Sequence, residues 1–156
     1  MSYTPPMPLL QKMRTLAQSN AVLQSYLLGS NSTFRWFEVQ LPKGYINQGA
    51  CVTVQQISDV LDYVQSGPIG LDWVRVQINV WSMDTVEAKA IAAYLVGYWF
   101  PAVDFVSDSM FLSPPGPALQ SPNFKLSQRG VLDFSVQPQA AWVETLDYRI
   151  GNNINI

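Results

Sequence analysis

The sequence predicts an α+β fold: a mainly antiparallel sheet of four to five strands with helices packed on one face. Three observations carry this. Residues 73–81 alternate strictly, with Val74, Val76, Ile78 and Val80 on one side and Trp73, Arg75, Gln77, Asn79 and Trp81 on the other. That period of two belongs to a strand with one buried face. An Ala-rich helical stretch follows at once, opened by Asp84 and Glu87 in the spacing of a capping box and stopped before Pro101. Two further strand-like runs, 131–137 and 143–150, flank a turn at Gln137-Pro-Gln-Ala and read as a hairpin. A buried strand feeding an apolar helix forms a β-α unit. Its four aliphatic strand side chains contribute on the order of 6–10 kcal/mol gross, before chain entropy is subtracted.

Taken in order, the chain is expected to form one domain over 1–156. Residues 1–8 read as an extended, proline-bearing arm. Leu9, Met13, Leu16 and Ala17 have the spacing of a short amphipathic helix, with Pro8 tolerated at its start. Ser19-Asn20 can end that helix and cap a second over 21–28, closed by Gly29 as a C-cap. Residues 34–41 have strand composition, 42–49 are turn-rich, and 51–57 form a better strand with β-branched residues. The stretch 58–72, with Gly67-Pro68 and Gly70, links it to the 73–81 strand as a long antiparallel hairpin, extended by 60–64 before the turn. Beyond the helix, 101–128 is predicted to be a long Pro-rich loop, because Pro114, Pro115, Pro117 and Pro122 exclude regular structure. The strand at 143–150 places Leu146, Tyr148 and Ile150 on one face, with Thr145, Asp147 and Arg149 opposite. Residues 151–156 are expected to be a flexible tail able to add to a sheet edge.

Composition narrows the function. Hydrophobic content of 48% with 13% charge describes a folded chain with part of its surface covered by other subunits or partners. A net charge of −2, with Lys and Arg scattered singly, gives no footing for specific nucleic-acid binding. The start of the chain lacks the pattern of a signal peptide, and the longest apolar run, 90–100, is too short to span a bilayer. The expectation is a soluble intracellular protein, so Asn31-Ser-Thr33 reads as a coincidental sequon. The single cysteine, Cys51, excludes a disulfide framework and reads as strand core.

Catalytic chemistry finds few tools. With no histidine, the Ser-His and Cys-His nucleophile pairs, histidine metal ligands and the commonest general base are all missing. Gly67-Pro-Ile-Gly70 lacks the spacing and ending of a phosphate loop. The carboxylate pairs Asp59/Asp62, Asp104/Asp108 and Glu144/Asp147 read as solvated loop or strand positions, and two aspartates are too few oxygen ligands for a hard cation. No cofactor and no metal is expected. The conspicuous surplus is aromatic: five Trp, seven Tyr and seven Phe. A row mixing Trp73 and Trp81 with Arg75, Gln77 and Asn79 has the composition of a protein interface. The competing reading is that a second layer of the same chain, such as the Pro-rich loop, covers it.

The order of parts resembles the tail completion, or tail terminator, family of long-tailed bacteriophages. The resemblance runs from the N-terminal helical region through Leu41-Pro42, the 51–57 strand, a hairpin and Val74-Arg-Val-Gln-Ile-Asn-Val-Trp81. It continues through Thr85-Val-Glu-Ala-Lys-Ala-Ile91 and Leu146-Asp-Tyr-Arg-Ile150, and departs in the long Pro-rich segment. It implies a non-enzymatic virion subunit at the head–tail junction, or neck, assembled in the host cytoplasm. Such subunits form a ring, commonly a hexamer, that caps the tail tube protein and joins it to the head-completion or connector protein. On that reading Trp73, Arg75, Gln77, Asn79 and Trp81, together with Asn152, Ile154 and Ile156 of the tail, are the candidate interface residues. Two alternatives stay open: another neck or cytoplasmic adaptor, and a small-ligand or enzyme module with an aromatic-lined pocket between sheet and helix and Asp133 or Asp147 as its polar group.

Overall fold

The computed structural model describes residues 9–29, 32–64, 67–96, 124–133 and 141–153. Helices α1 (Leu9–Gln18) and α2 (Ala21–Leu27) lead into strand β1 (Trp36–Glu38), a 3₁₀ turn at Tyr45–Gln48, and the long strands β2 (Cys51–Val64) and β3 (Gly67–Ser82). Helix α3 (Thr85–Val96), β4 (Phe124–Asp133) and β5 (Ala141–Asn153) follow. The strands form one five-stranded sheet in the order β1-β2-β3-β5-β4. It is antiparallel throughout except for the parallel pairing of β1 with β2. The fold is α+β, as the alternation at 73–81 predicts.

The inner face of the sheet holds the core. Val74, Val76, Ile78 and Val80 are at most 1% exposed. Directly opposite Ile78 stand Val54 of β2 and Leu146 of β5, both fully buried. Helix α3 closes over this face with Ala88, Ile91, Ala92 and Leu95, and α1 and α2 add Leu9, Met13, Leu23 and Leu27 to the same cluster. Each of these side chains gains roughly 1.5–3 kcal/mol from burial, alanines less.

The helix ends show how local chemistry sets the elements. Asn20 accepts hydrogen bonds at Oδ1 from the Val22 and Leu23 amides, 3.0 and 3.2 Å, and so caps α2 as expected. The far cap is Leu28 in an extended conformation, not Gly29; the Gly29 N–H instead reaches Thr33 O at 2.8 Å and turns the chain. At α3, Asp84 Oδ1 accepts from the Val86 amide, 3.0 Å. The reciprocal half of the expected capping box runs through a third residue. Ser82 Oγ accepts from the Asp84 amide and donates to Glu87 Oε1, at 3.0 and 3.1 Å.

Four boundaries differ from the sequence expectation. β1 is three residues rather than the span 34–41, because Val39 takes a left-handed backbone (φ 68°) and Gln40 N–H folds back to Glu38 O. β3 begins at Gly67, six residues before Trp73, because the hairpin continues to the pair Val64↔Gly67. The Pro-rich connection ends before Phe124, so 124–128 belong to β4 and not to a loop. Of the strand expected over 131–137, 131–133 lie in β4 and the rest falls outside the described residues. Finally, Gly151, Asn152 and Asn153 are not part of a free tail: they extend β5 and pair with Trp73, Asp72 and Leu71. In each lengthened strand a neighbour supplies ladder partners, and that pairing overrides weak local propensity.

Val39 yields a prediction. It is a β-branched residue, 65% exposed, in a conformation that costs an L-residue about 1–2 kcal/mol. Val39→Asn is expected to stabilise the protein by about 1 kcal/mol, read as a raised urea midpoint at unchanged slope. An unchanged or lowered midpoint would remove the strain argument.

Cys51 yields another. Burial pushes its thiol up to about 11, against a smaller lowering from the nearby Arg35 guanidinium and its hydrogen bond. A raised thiol pKa means that the unfolded chain ionises first. The stability it contributes is full below the ordinary thiol range and is lost as pH climbs from about 9 to about 11. Burial of Lys12 in α1 lowers its ammonium pKa, which acts in the opposite direction over alkaline pH. The clean readout is therefore the difference between wild type and Cys51→Ala, which should shrink as pH rises through that window. In native protein at pH 8, Cys51 should also resist a thiol reagent until urea exposes it.

Candidate interface on the outer face of the sheet

The strict alternation of β3 puts Arg75, Gln77, Asn79 and Trp81 on the face away from the helices. Arg75 is exposed, and the other three are half-buried. β5 brings a matching row directly opposite: Val143 faces Trp81, Thr145 faces Asn79 and Asp147 faces Gln77. Cross-strand bonds fix the rotamers. Thr145 Oγ1 donates to Asn79 Oδ1 at 2.8 Å. Trp81 Nε1 donates to Thr53 Oγ1 at 3.1 Å. Arg75 and Asp147 form an ion pair at 3.6 Å with the Arg75 side chain half exposed, so it contributes little to stability. These contacts hold the Asn79 amide and the Trp81 indole in place.

β4 extends this face to the sheet edge. Arg129 and Val131 lie opposite Thr145 and Val143. Together with Gln77, Asn79, Trp81 and Asp133 they border an open depression of about 420 Å³. Asp133, expected as the polar group of an internal pocket, therefore lies on the outer face, and Asp147 is engaged with Arg75. Val131 and Leu132 are 53% and 45% exposed, on the strand that ends the sheet.

Of the predicted interface residues, Arg75, Gln77, Asn79 and Trp81 share this face. Trp73 lies in the same row by register, opposite Val60 and Gly151. Asn152 pairs with Asp72 and so occupies the alternate row, apart from Trp73. Ile154 and Ile156 are outside the described residues. The β4 residues Arg129, Val131 and Leu132 were missed as contact candidates, because the order β3-β5-β4 cannot be read from chain order. The available signal was a charged–apolar–charged alternation, Arg129, Val131, Asp133.

On the inner face, near the same edge, Glu144 is 3% exposed. Its Oε1 accepts from Trp142 Nε1 at 2.8 Å and its Oε2 from Gln128 Nε2 at 3.2 Å. Lys89 of α3 stands over the Trp142 ring, 5.6 Å from its centroid. With Gly130 these groups line a cleft of about 210 Å³. Among the described residues no group of three or more acidic or thiol ligands could hold a metal ion, and no helix is long and apolar enough to cross a membrane. The outer face presents amide donors and acceptors, an indole and exposed aliphatic carbon. No protein-family model matches the sequence, and no curated protein matches it significantly.

Proposed function

We propose that the chain is a ring-forming structural subunit of a tailed-phage neck, a tail terminator that caps the last ring of the tail tube and joins it to the head connector. The observation that carries this reading is the mixed polar and aromatic row on the outer face of β3. Three described helices contribute to the core on the inner face, while the outer face of β3 carries the row of Arg75, Gln77, Asn79 and Trp81, of which Arg75 is exposed and the others half-buried. A ring needs heterologous contacts, one surface meeting a different one on the next copy. The outer face is one such surface. The β1 end of the sheet, with Val39 at 65% and Ile57 at 46% exposure, is another. On this reading the protein acts through shape and hydrogen bonding, with no covalent step and no cofactor. The sequence resemblance to tail terminators supplies the biological setting.

The test is the solution mass by light scattering over a concentration series, followed by mixing with tail tubes. A closed assembly of about six times the 17.4 kDa chain mass, and tubes that stop growing when the protein is added, are expected. A chain that neither assembles alone nor binds tube ends would sink the proposal.

A further inference from the structure

β4 is the last strand of the sheet, and no described residue pairs with its outer side. Alternate residues of such an edge direct N–H and C=O groups away from the sheet, a template for another strand. Natural edges are commonly blunted by proline, by charge or by brevity. This one runs ten residues and carries Val131 and Leu132 exposed side by side.

The sequence of the edge is complementary to itself. In an antiparallel pairing of β4 with a second copy, centred on Val131, opposite residues share a face. On the outer face Val131 meets Val131 of the second copy. Arg129 meets the other chain's Asp133 on one side, and Asp133 meets the other chain's Arg129 on the other. On the inner face each exposed Leu132 falls opposite Gly130, over which the Trp142 ring lies, beside the cleft bordered by Trp142 and Gln128. Charge thus meets opposite charge twice, and the exposed valines cover one another. Shifting the register by two in either direction loses the reciprocal Arg–Asp pairs: centring on Gly130 sets Arg129 against Val131, and centring on Leu132 sets Asp133 against Val131.

We infer that the β4 edge is a two-fold docking surface for a second copy of this chain, joined by antiparallel strand pairing through 129–133. The inference uses neither the Arg75–Trp81 row nor the β1 end, although Arg129 and Val131 border the same outer face. The contact is short, so association is expected between roughly 10 µM and 1 mM.

The test uses the full chain and exchanges charge. Arg129→Asp faces two carboxylates against each other across the contact, and Asp133→Arg faces two guanidinium groups. Each variant alone is expected to lose the twofold rise in mass that the wild type shows over that range. An equimolar mixture of the two restores both opposite-charge pairs and is expected to regain the wild-type mass, which also shows that both variants are folded. The double variant Arg129→Asp/Asp133→Arg is expected to associate like the wild type. Single variants with the wild-type mass at every concentration, whether because association persists or because the wild type is itself a monomer, would overturn the inference. A six-copy mass that survives in the single variants bears on the ring alone, so the two readings succeed or fail separately.

Discussion

An Ile78→Asp chain is expected to give no cooperative thermal transition, while Gln77→Thr, one residue away, keeps its melting temperature within about 2 °C of wild type. Ile78 is fully buried on the inner face, between Val54 and Leu146 of the two neighbouring strands, which are themselves fully buried. Its cross-strand neighbours Val54 and Leu146 offer a carboxylate neither a cation nor a side-chain hydrogen-bond donor. Leaving a charge unpaired in such a site costs several kcal/mol, comparable to the roughly 5–15 kcal/mol that holds a whole domain together. Ile78→Ala should fall between the two. A loss of about 2–5 kcal/mol lowers the melting temperature by roughly 4–20 °C for a chain of this size. Circular dichroism melts of the three variants check this. A folded Ile78→Asp protein would mean that the two faces of β3 have been assigned the wrong way round.

Gly130→Val should lose about 2–4 kcal/mol although Gly130 lies on an exposed edge strand. A Cβ at this position would stand 2.3 Å from Trp142 Cζ2 and 2.7 Å from Glu144 Oε1. The indole ring must swing away. It then gives up its hydrogen bond to a buried carboxylate and its place beneath Lys89. Overpacking accounts for about 1–3 kcal/mol and the lost charge-assisted bond for about 1.5–3 kcal/mol, with part of each recovered on relaxation. Because the damage passes through Trp142, combining Gly130→Val with Trp142→Ala should be milder than the sum of the single variants by about 1 kcal/mol or more. Urea unfolding of the four proteins gives the coupling, and strict additivity would discard the steric account.

These two sites also show what the sequence could reveal. The inner row of β3 was legible because Val74, Val76, Ile78 and Val80 alternate with polar residues and aromatics, a pattern that needs no knowledge of any other strand. The outer row came with it, so Arg75, Gln77, Asn79 and Trp81 were found as candidates. Their partners were harder. Thr145 and Asp147 were assigned to a polar strand face, but the bond between Thr145 and Asn79 spans 66 residues of chain, and nothing local specifies it. β4 was placed too late because Ser127, Gln128 and Gly130 carry no strand signal. Pairing to β5 makes the strand, and the Trp142 ring covers the glycine that propensity alone counts against it. β1 was overextended because a left-handed Val39 has no signature in composition.

The sheet order has a consequence for how the protein is made. β5 lies between β3 and β4, and both neighbours precede it in the chain. The β2–β3 hairpin can zip early from contacts close in sequence, but β3 then waits with an open side for a strand synthesised some sixty residues later. Closing that long loop sets the slow step. Until β5 leaves the ribosome, the apolar row of β3 has only half its shelter. This is the period in which a nascent chain is most exposed to misassembly with its neighbours.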